Sequence, residues 1–130
     1  MAHNCILVAD DEPEILSEIT GYLRRRGEAV VDVPSYGGAV RAFNDNPDSI
    51  ALVITDVRMP DGNGVDLARW VISRSQGKCP CLLITGHFEQ AGLGADLEAA
   101  SVRVLGKPFA MSALYALVLS AREKTNKDNP

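Results

Sequence analysis

Three short runs, Cys-Ile-Leu-Val-Ala at 5–9, Ala-Leu-Val-Ile at 51–54 and Cys-Leu-Leu-Ile at 81–84, are apolar at every position rather than at every second one. A strand with one wet face alternates. A strand buried on both faces does not, and such strands belong to parallel sheets covered by helices on each side. Each run also ends on residues capable of chemistry: Asp10-Asp11-Glu12 after the first, Thr55-Asp56 after the second and Thr85-Gly86-His87 after the third. Pro60, Gly62 and Gly64 forbid regular structure beyond the second run, so Asp56 stands at a strand's carboxyl end with a loop after it. In open α/β sheets that edge is where loop amides and helix N-termini converge and ligands bind.

The segments between the runs read as helices and two further strands. Pro13 fits the first turn of a helix carrying Ile15, Leu16, Ile19, Tyr22 and Leu23 at helical spacing. Asp11 and Glu14 predict a capping box, Arg24 to Arg26 complement the dipole at the far end, and Gly27 stops the helix. A strand is predicted over Ala29 to Val33, then a helix capped by Ser35 with Ala39, Val40 and Phe43 facing inward. The helix from Val65 to Ser75 turns Leu67, Ala68, Val71 and Ile72 inward and closes at Gly77. Phe88 to Ala100 places Leu93, Leu97 and Ala100 at helical spacing. Gly92 and Gly94 each cost about 1 kcal/mol there relative to Ala, which predicts a short, late-starting or mobile helix. Val102 to Leu105 gives a fifth strand, and Met111, Leu114, Leu117, Val118 and Ala121 the inner stripe of a last helix, with a frayed polar tail from Thr125. Five strands alternating with five helices predict a doubly wound parallel sheet in a single domain over 1–130, with no linker or internal repeat.

Composition removes several function classes. Seventeen acidic against thirteen basic residues give a net charge of −4, which argues against direct nucleic-acid binding through clustered Lys and Arg. No apolar run approaches the roughly 20 residues needed to cross a bilayer. Met1 to Ile6 lacks the features of a secretory signal, and the chain is read as cytoplasmic. Cys79-Pro80-Cys81 reads as thiols near the start of a strand rather than a metal centre, because no other Cys or His cluster accompanies it.

One sheet edge would gather Asp10, Asp11, Asp56, Thr85 and Lys107 from the ends of four strands. Carboxylates about 4 Å apart repel by roughly 4 kcal/mol per ionised pair at an effective dielectric of about 20, so a cation belongs among them. An all-oxygen set suits Mg²⁺, Lys107 supplies a compact charge for a phosphoryl group, and the Thr85 hydroxyl donates one hydrogen bond. Nucleophilic carboxylate, divalent ion, lysine and hydroxyl together describe a site that accepts a phosphoryl group as an aspartyl phosphate.

With those residues assembled, the sequence resembles the receiver domains of two-component response regulators. The matching residues are Asp10-Asp11-Glu12, Asp56 with Met59-Pro60-Asp61-Gly62, Thr85-Gly86 and Lys107-Pro108-Phe109, in order and spacing over nearly the whole chain. The resemblance implies a flavodoxin-like sheet of strand order 2-1-3-4-5. It implies Asp56 as phosphoacceptor, with Mg²⁺ held at Asp56, by Asp11 and the backbone carbonyl of Arg58 directly, and by Asp10 through a coordinated water. Thr85 and Lys107 would bind the phosphoryl group, and the Lys107-Pro108 bond is expected to be cis. The implied donor is a phosphohistidine on a histidine kinase or phosphotransfer protein. The implied output is a changed preference for a downstream protein target or covalently attached effector at the face of the fourth helix, fifth strand and fifth helix. Tyr115 and Leu119 on the last helix would allow a homodimer there. Such a module is no enzyme toward outside substrates, but it assists its own phosphorylation and dephosphorylation, tuned by the residues at Arg58 and His87.

Val104 departs from the family, which often carries Tyr or Phe there, coupled to the threonine. With the two glycines before it, this favours one alternative, a phosphorylation-independent pseudo-receiver that only binds partners. A Mg²⁺-dependent phosphohydrolase is the other. It is disfavoured because it needs a general acid near the nucleophile, and the residue two beyond Asp56 is Arg58.

Overall fold

A computed structural model of the chain describes residues 5–86, 97, 99–100 and 102–128, with side chains described as far as residue 122. His87 and most of the predicted helix over 88–100 lie outside the described residues; Leu97 within that stretch is buried. Five parallel strands form one sheet: β1 (Cys5–Ala9), β2 (Ala29–Val33), β3 (Ile50–Asp56), β4 (Cys81–Thr85) and β5 (Arg103–Gly106). Their order is β2-β1-β3-β4-β5, as the resemblance implied. Four helices are described: α1 (Pro13–Arg25), α2 (Tyr36–Asp45), α3 (Gly64–Ser75) and α4 (Met111–Asp128).

The every-position apolar pattern has its expected cause. Leu7, Ala9, Val53 and Leu83 project to one face and meet Ala39 and Phe43 of α2 with Leu67, Ala68 and Val71 of α3. Ile6, Val8, Ile54, Leu82 and Ile84 project to the other and meet Leu16, Ile19 and Leu23 of α1 with Leu114, Val118 and Ala121 of α4. Alternate residues of one strand thus feed two separate cores, and burying each large side chain contributes roughly 1.5–3 kcal/mol. No helix among the described residues is long and apolar enough to cross a membrane.

Several boundaries and caps differ from the sequence reading. The capping box at Asp11 and Glu14 does not form, because Pro13 occupies the first helical turn and makes Glu12 the N-cap residue, without a side-chain cap bond. Helix α3 ends on Gln76 at φ 57°, in the left-handed region, with Gly77 following at φ 78°. The backbone of α4 runs to Asp128, past the predicted fraying point at Thr125. Neither Gly nor Pro stands between Phe109 and Asn129 to stop it. Tyr115 is partly buried, its ring meeting Tyr22 edge-on at 6.1 Å and its hydroxyl donating to Glu28 Oε2 at 3.3 Å, while Leu119 on the same helix is exposed. Cys79 and Cys81 are buried free thiols at the start of β4, and burial pushes the Cys79 thiol up to about 12.

Helix α2 begins Tyr36-Gly37-Gly38, and two glycines make its first turn intrinsically weak. Ser35 offsets this, its Oγ accepting the Gly38 amide at 3.0 Å. Ser35→Ala is therefore expected to lower unfolding free energy by about 1 kcal/mol, seen as a lower urea midpoint at unchanged slope.

Candidate functional site

Because the sheet is parallel, all five strands end on the same edge, and the register sets how their last residues align. Ala9 pairs with Thr55, Asp56 with Ile84 and Thr85 with Gly106. Asp10, Asp56, Thr85 and Lys107 therefore lie within one residue step of a common level. Backbone bonds fix that level: Val57 N–H donates to Ile84 O at 2.9 Å and Lys107 N–H to Thr85 O at 2.7 Å. The Lys107-Pro108 peptide is cis.

The segment after Asp56 is tightly built. Arg58–Met59 and Gly62–Asn63 pair as a two-stranded antiparallel ribbon, with Met59 buried in the core beneath. Gly64 N–H donates to Val57 O at 2.7 Å, and a Cβ on Gly64 would collide with the Asp56 carbonyl oxygen. Asn63 Oδ1 accepts the Val65 amide at 2.7 Å and caps α3. Gly62-Asn63-Gly64 is thus a turn into a helix.

Asp10, Asp56 and Thr85 are buried, and Asp11 is half-buried beside them. One carboxylate oxygen from each of Asp10, Asp11 and Asp56 lies within 4.8 Å of the others. Lys107 Nζ stands 3.3 Å from Asp56 Oδ2 and 3.0 Å from Glu12 Oε1, so its charge is shared between two carboxylates. Asp56 Oδ1 accepts the Arg58 amide at 3.4 Å, while the Arg58 side chain is exposed. Asp10 Oδ1 accepts the Glu12 amide at 2.9 Å, and Asp10 Oδ2 is buried without a hydrogen-bond partner.

The electrostatics follow from that crowding. Burial raises the Asp10 carboxyl to about 6, opposed by the Glu12 amide and reinforced by the charge of Asp56. Burial also raises Asp56, against the pull of the Lys107 charge and hydrogen bond. Burial works to lower Lys107, but its bond to Glu12 and the charges of Asp56 and Asp10 outweigh this and raise it.

The donor set fits a hard divalent cation. It is all oxygen, it carries more negative charge than one lysine offsets, and it contains a buried carboxylate oxygen with nothing to bond. Oxygens bound to one Mg²⁺ at about 2.1 Å lie roughly 3–4 Å apart, within the 4.8 Å that bounds the separation of these three.

Of the residues expected from sequence, Asp10, Asp11, Asp56 and Lys107 are brought together, Thr85 ends the adjacent strand, and Arg58 stands at the loop's start. Val104 is partly buried against the α2–α3 core. Two residues have partners that no sequence pattern pointed to. Glu12 is the second partner of Lys107, and Asp61 reaches back to α2, its Oδ1 accepting the Tyr36 amide and its Oδ2 the Gly37 amide, each at 2.9 Å. Glu12 could have been suspected from Pro13 fixing it at a helix start; the partners of Asp61 are 24 and 25 residues away.

Comparison with known proteins agrees with this geometry. The sequence model of the response regulator receiver domain matches residues 6–119. The transcriptional regulatory protein GltR of Pseudomonas aeruginosa is 32% identical over 114 residues, covering 87% of this chain and 46% of GltR. The transcriptional regulatory protein KdpE of Mycobacterium tuberculosis is 29% identical over 116 residues, covering 89% of this chain and 50% of KdpE. The chain thus spans about half the length of these curated relatives. A response regulator receiver domain from Clostridium thermocellum aligns with TM-score 0.85 and 29% identity, over 94% of this chain and 96% of that one. A receiver protein from Sinorhizobium medicae aligns with TM-score 0.83 and 27% identity, over 95% and 97%. Matched along nearly its whole length, with its acidic cluster and lysine on the expected sheet edge, the chain belongs to the response regulator receiver domain family.

Proposed function

We propose that Asp56 accepts a phosphoryl group from a phosphohistidine on a histidine kinase or phosphotransfer protein, and that the modified chain changes its preference for a downstream target or attached effector. The observation that carries this reading is Lys107 Nζ at 3.3 Å from a buried Asp56 carboxylate that is crowded by Asp10 and Asp11. An Asp56 oxygen attacks phosphorus, the phosphorus–nitrogen bond to the donor imidazole breaks, and the imidazole leaves with its nitrogen lone pair. The Arg58 amide orients one Asp56 oxygen and Lys107 the other, so the carboxylate is aimed before the donor arrives. The ammonium of Lys107 and the hydroxyl of Thr85 bind phosphoryl oxygens. Asp10, Asp11, Asp56 and the Arg58 carbonyl would hold Mg²⁺, which when bound neutralises charge developing on the transferred group. The burial of Asp56 keeps bulk water from the acyl phosphate. Drawing Thr85 toward the new charge biases the neighbouring face toward its second arrangement, a population shift set by local electrostatics.

Incubating the chain with Mg²⁺ and acetyl phosphate tests the reading by intact mass. One phosphoryl group per chain is expected, and none when a chelator replaces Mg²⁺; no adduct at saturating donor and metal overturns it. The module assists its own dephosphorylation as well, at a rate that Arg58 and His87 hold down. The Arg58→Ala, His87→Ala double variant is expected to lose its phosphoryl group several-fold faster, timed by phosphate release. An unchanged rate would remove both residues from that role.

A further inference from the structure

We infer that Asp61 is a positioning residue for the metal-binding loop, acting from outside the site by tying that loop to the first turn of α2; this rests on the proposed Mg²⁺-dependent phosphorylation. The ribbon that begins at Arg58 needs holding at both ends if the Arg58 carbonyl is to face an ion. Its inner end is fixed by Met59 in the core and by the Gly64–Val57 bond of 2.7 Å. Its outer end, Pro60-Asp61, is exposed, and the Asp61 carboxylate ties it to α2. Both oxygens of that carboxylate are engaged, Oδ1 by the Tyr36 amide and Oδ2 by the Gly37 amide, each at 2.9 Å. Two parallel bonds fix orientation as well as distance. Gly62 adds a third contact: it lies so close against the Tyr36 ring that a Cβ there would overlap ring and Cβ atoms.

The tie works in both directions. Helix α2 starts with two glycines, and Asp61 accepts two of the amides that any helix leaves unpaired at its start. These bonds hold the Asp61 carboxyl below the usual carboxylate range, so it stays charged. A loop already held in its bound arrangement loses less freedom when it takes up a ligand, so the tie strengthens ion binding. By linkage, ion binding must then strengthen the tie.

Calorimetric Mg²⁺ titration of the full chain and its Asp61→Ala and Asp61→Asn variants tests this, with amide hydrogen exchange at Tyr36 and Gly37. Asp61→Ala is expected to weaken Mg²⁺ binding by on the order of five-fold, a coupling at the low end of what linked sites show. Asp61→Asn should fall between, since its amide oxygen replaces one acceptor and not two. Mg²⁺ should slow exchange at the two amides in the parent chain but not in Asp61→Ala. A residue serving only as a cap for α2 would lower the melting temperature and speed exchange while leaving Mg²⁺ affinity untouched, and that result overturns the inference. Failure of the parent chain itself to bind Mg²⁺ overturns the underlying reading along with it, and a variant too unstable to titrate at 25 °C leaves Asp61→Asn to decide.

Discussion

Asp56→Asn is expected to take up no phosphoryl group and, in chelator, to melt higher than the parent chain. The first result follows from chemistry: an amide of the same shape offers no carboxylate nucleophile to phosphorus. The second follows from burial. The Asp56 carboxyl is raised because its charge is desolvated, and the charge of Asp11 adds to this despite the help of Lys107. At neutral pH the folded chain carries that charge at a cost the unfolded chain does not meet. Asparagine removes it, and Lys107 keeps its 3.0 Å bond to Glu12. The gain should be on the order of a few degrees in a chain of this size. Excess Mg²⁺ should reverse the order, because the parent gains binding free energy that the variant, short of a ligand, does not. A phosphorylated Asp56→Asn chain, or one melting lower in chelator, would contradict the assignment. The same trade recurs wherever function places like charges in a dry pocket.

Removing Mg²⁺ should also give the chain an inverted acid response. The Asp10 carboxyl ionises at about 6 in the folded chain against an ordinary 3.8, chiefly because it is buried. Between those values the folded chain keeps a proton that the unfolded chain has released, so this group's contribution to stability is fully present below about pH 4 and is lost as pH rises through 6. The difference of about two pH units corresponds to roughly 3 kcal/mol. Asp56 is raised too and acts in the same direction, whereas Asp61, held low by two amides, loses its contribution only below its ordinary value. Melting temperature in chelator should therefore drop between pH 5 and 7, and Asp10→Asn should flatten the curve. A saturating divalent cation takes the proton's place, so the shift it produces should be large at pH 7 and small at pH 5. A chelated chain that gains stability from pH 5 to 7 would rule out a charge-strained pocket.

How legible these features were depended on whether their cause was local. Strands β1 and β2 were predicted at their observed limits, and β3, β4 and β5 to within one residue at each end. An unbroken apolar run ended by Asp, Thr or Gly carries both its type and its end in neighbouring residues. The assembly of Asp10, Asp11, Asp56 and Lys107 followed from parallel topology, which sends every carboxyl end to one edge. Glu12 and Asp61 did not follow, because their partners are set by how helices settle on the sheet. Lys107 is 95 residues from Glu12, and no periodicity links them. The failed capping box is a smaller case of the same kind: Asp11 was spent on the acidic cluster, and Pro13 had already set where α1 starts. For α4, polar composition suggested an early end, but only Gly or Pro would have enforced one.

The two-sided core has a consequence for accuracy at the sheet edge. Along β1 the residues at 6 and 8 feed one layer and those at 7 and 9 the other, and all four are hydrocarbon. Sliding such a strand by a single position would exchange its layers at little cost in solvation, since oil would still meet oil. What opposes the slip is volume: Ala9 and Leu7 would have to fill spaces shaped for Val8 and Ile6. The placement of the acids at the rim is therefore governed by the contours of side chains that carry no charge and touch no ligand.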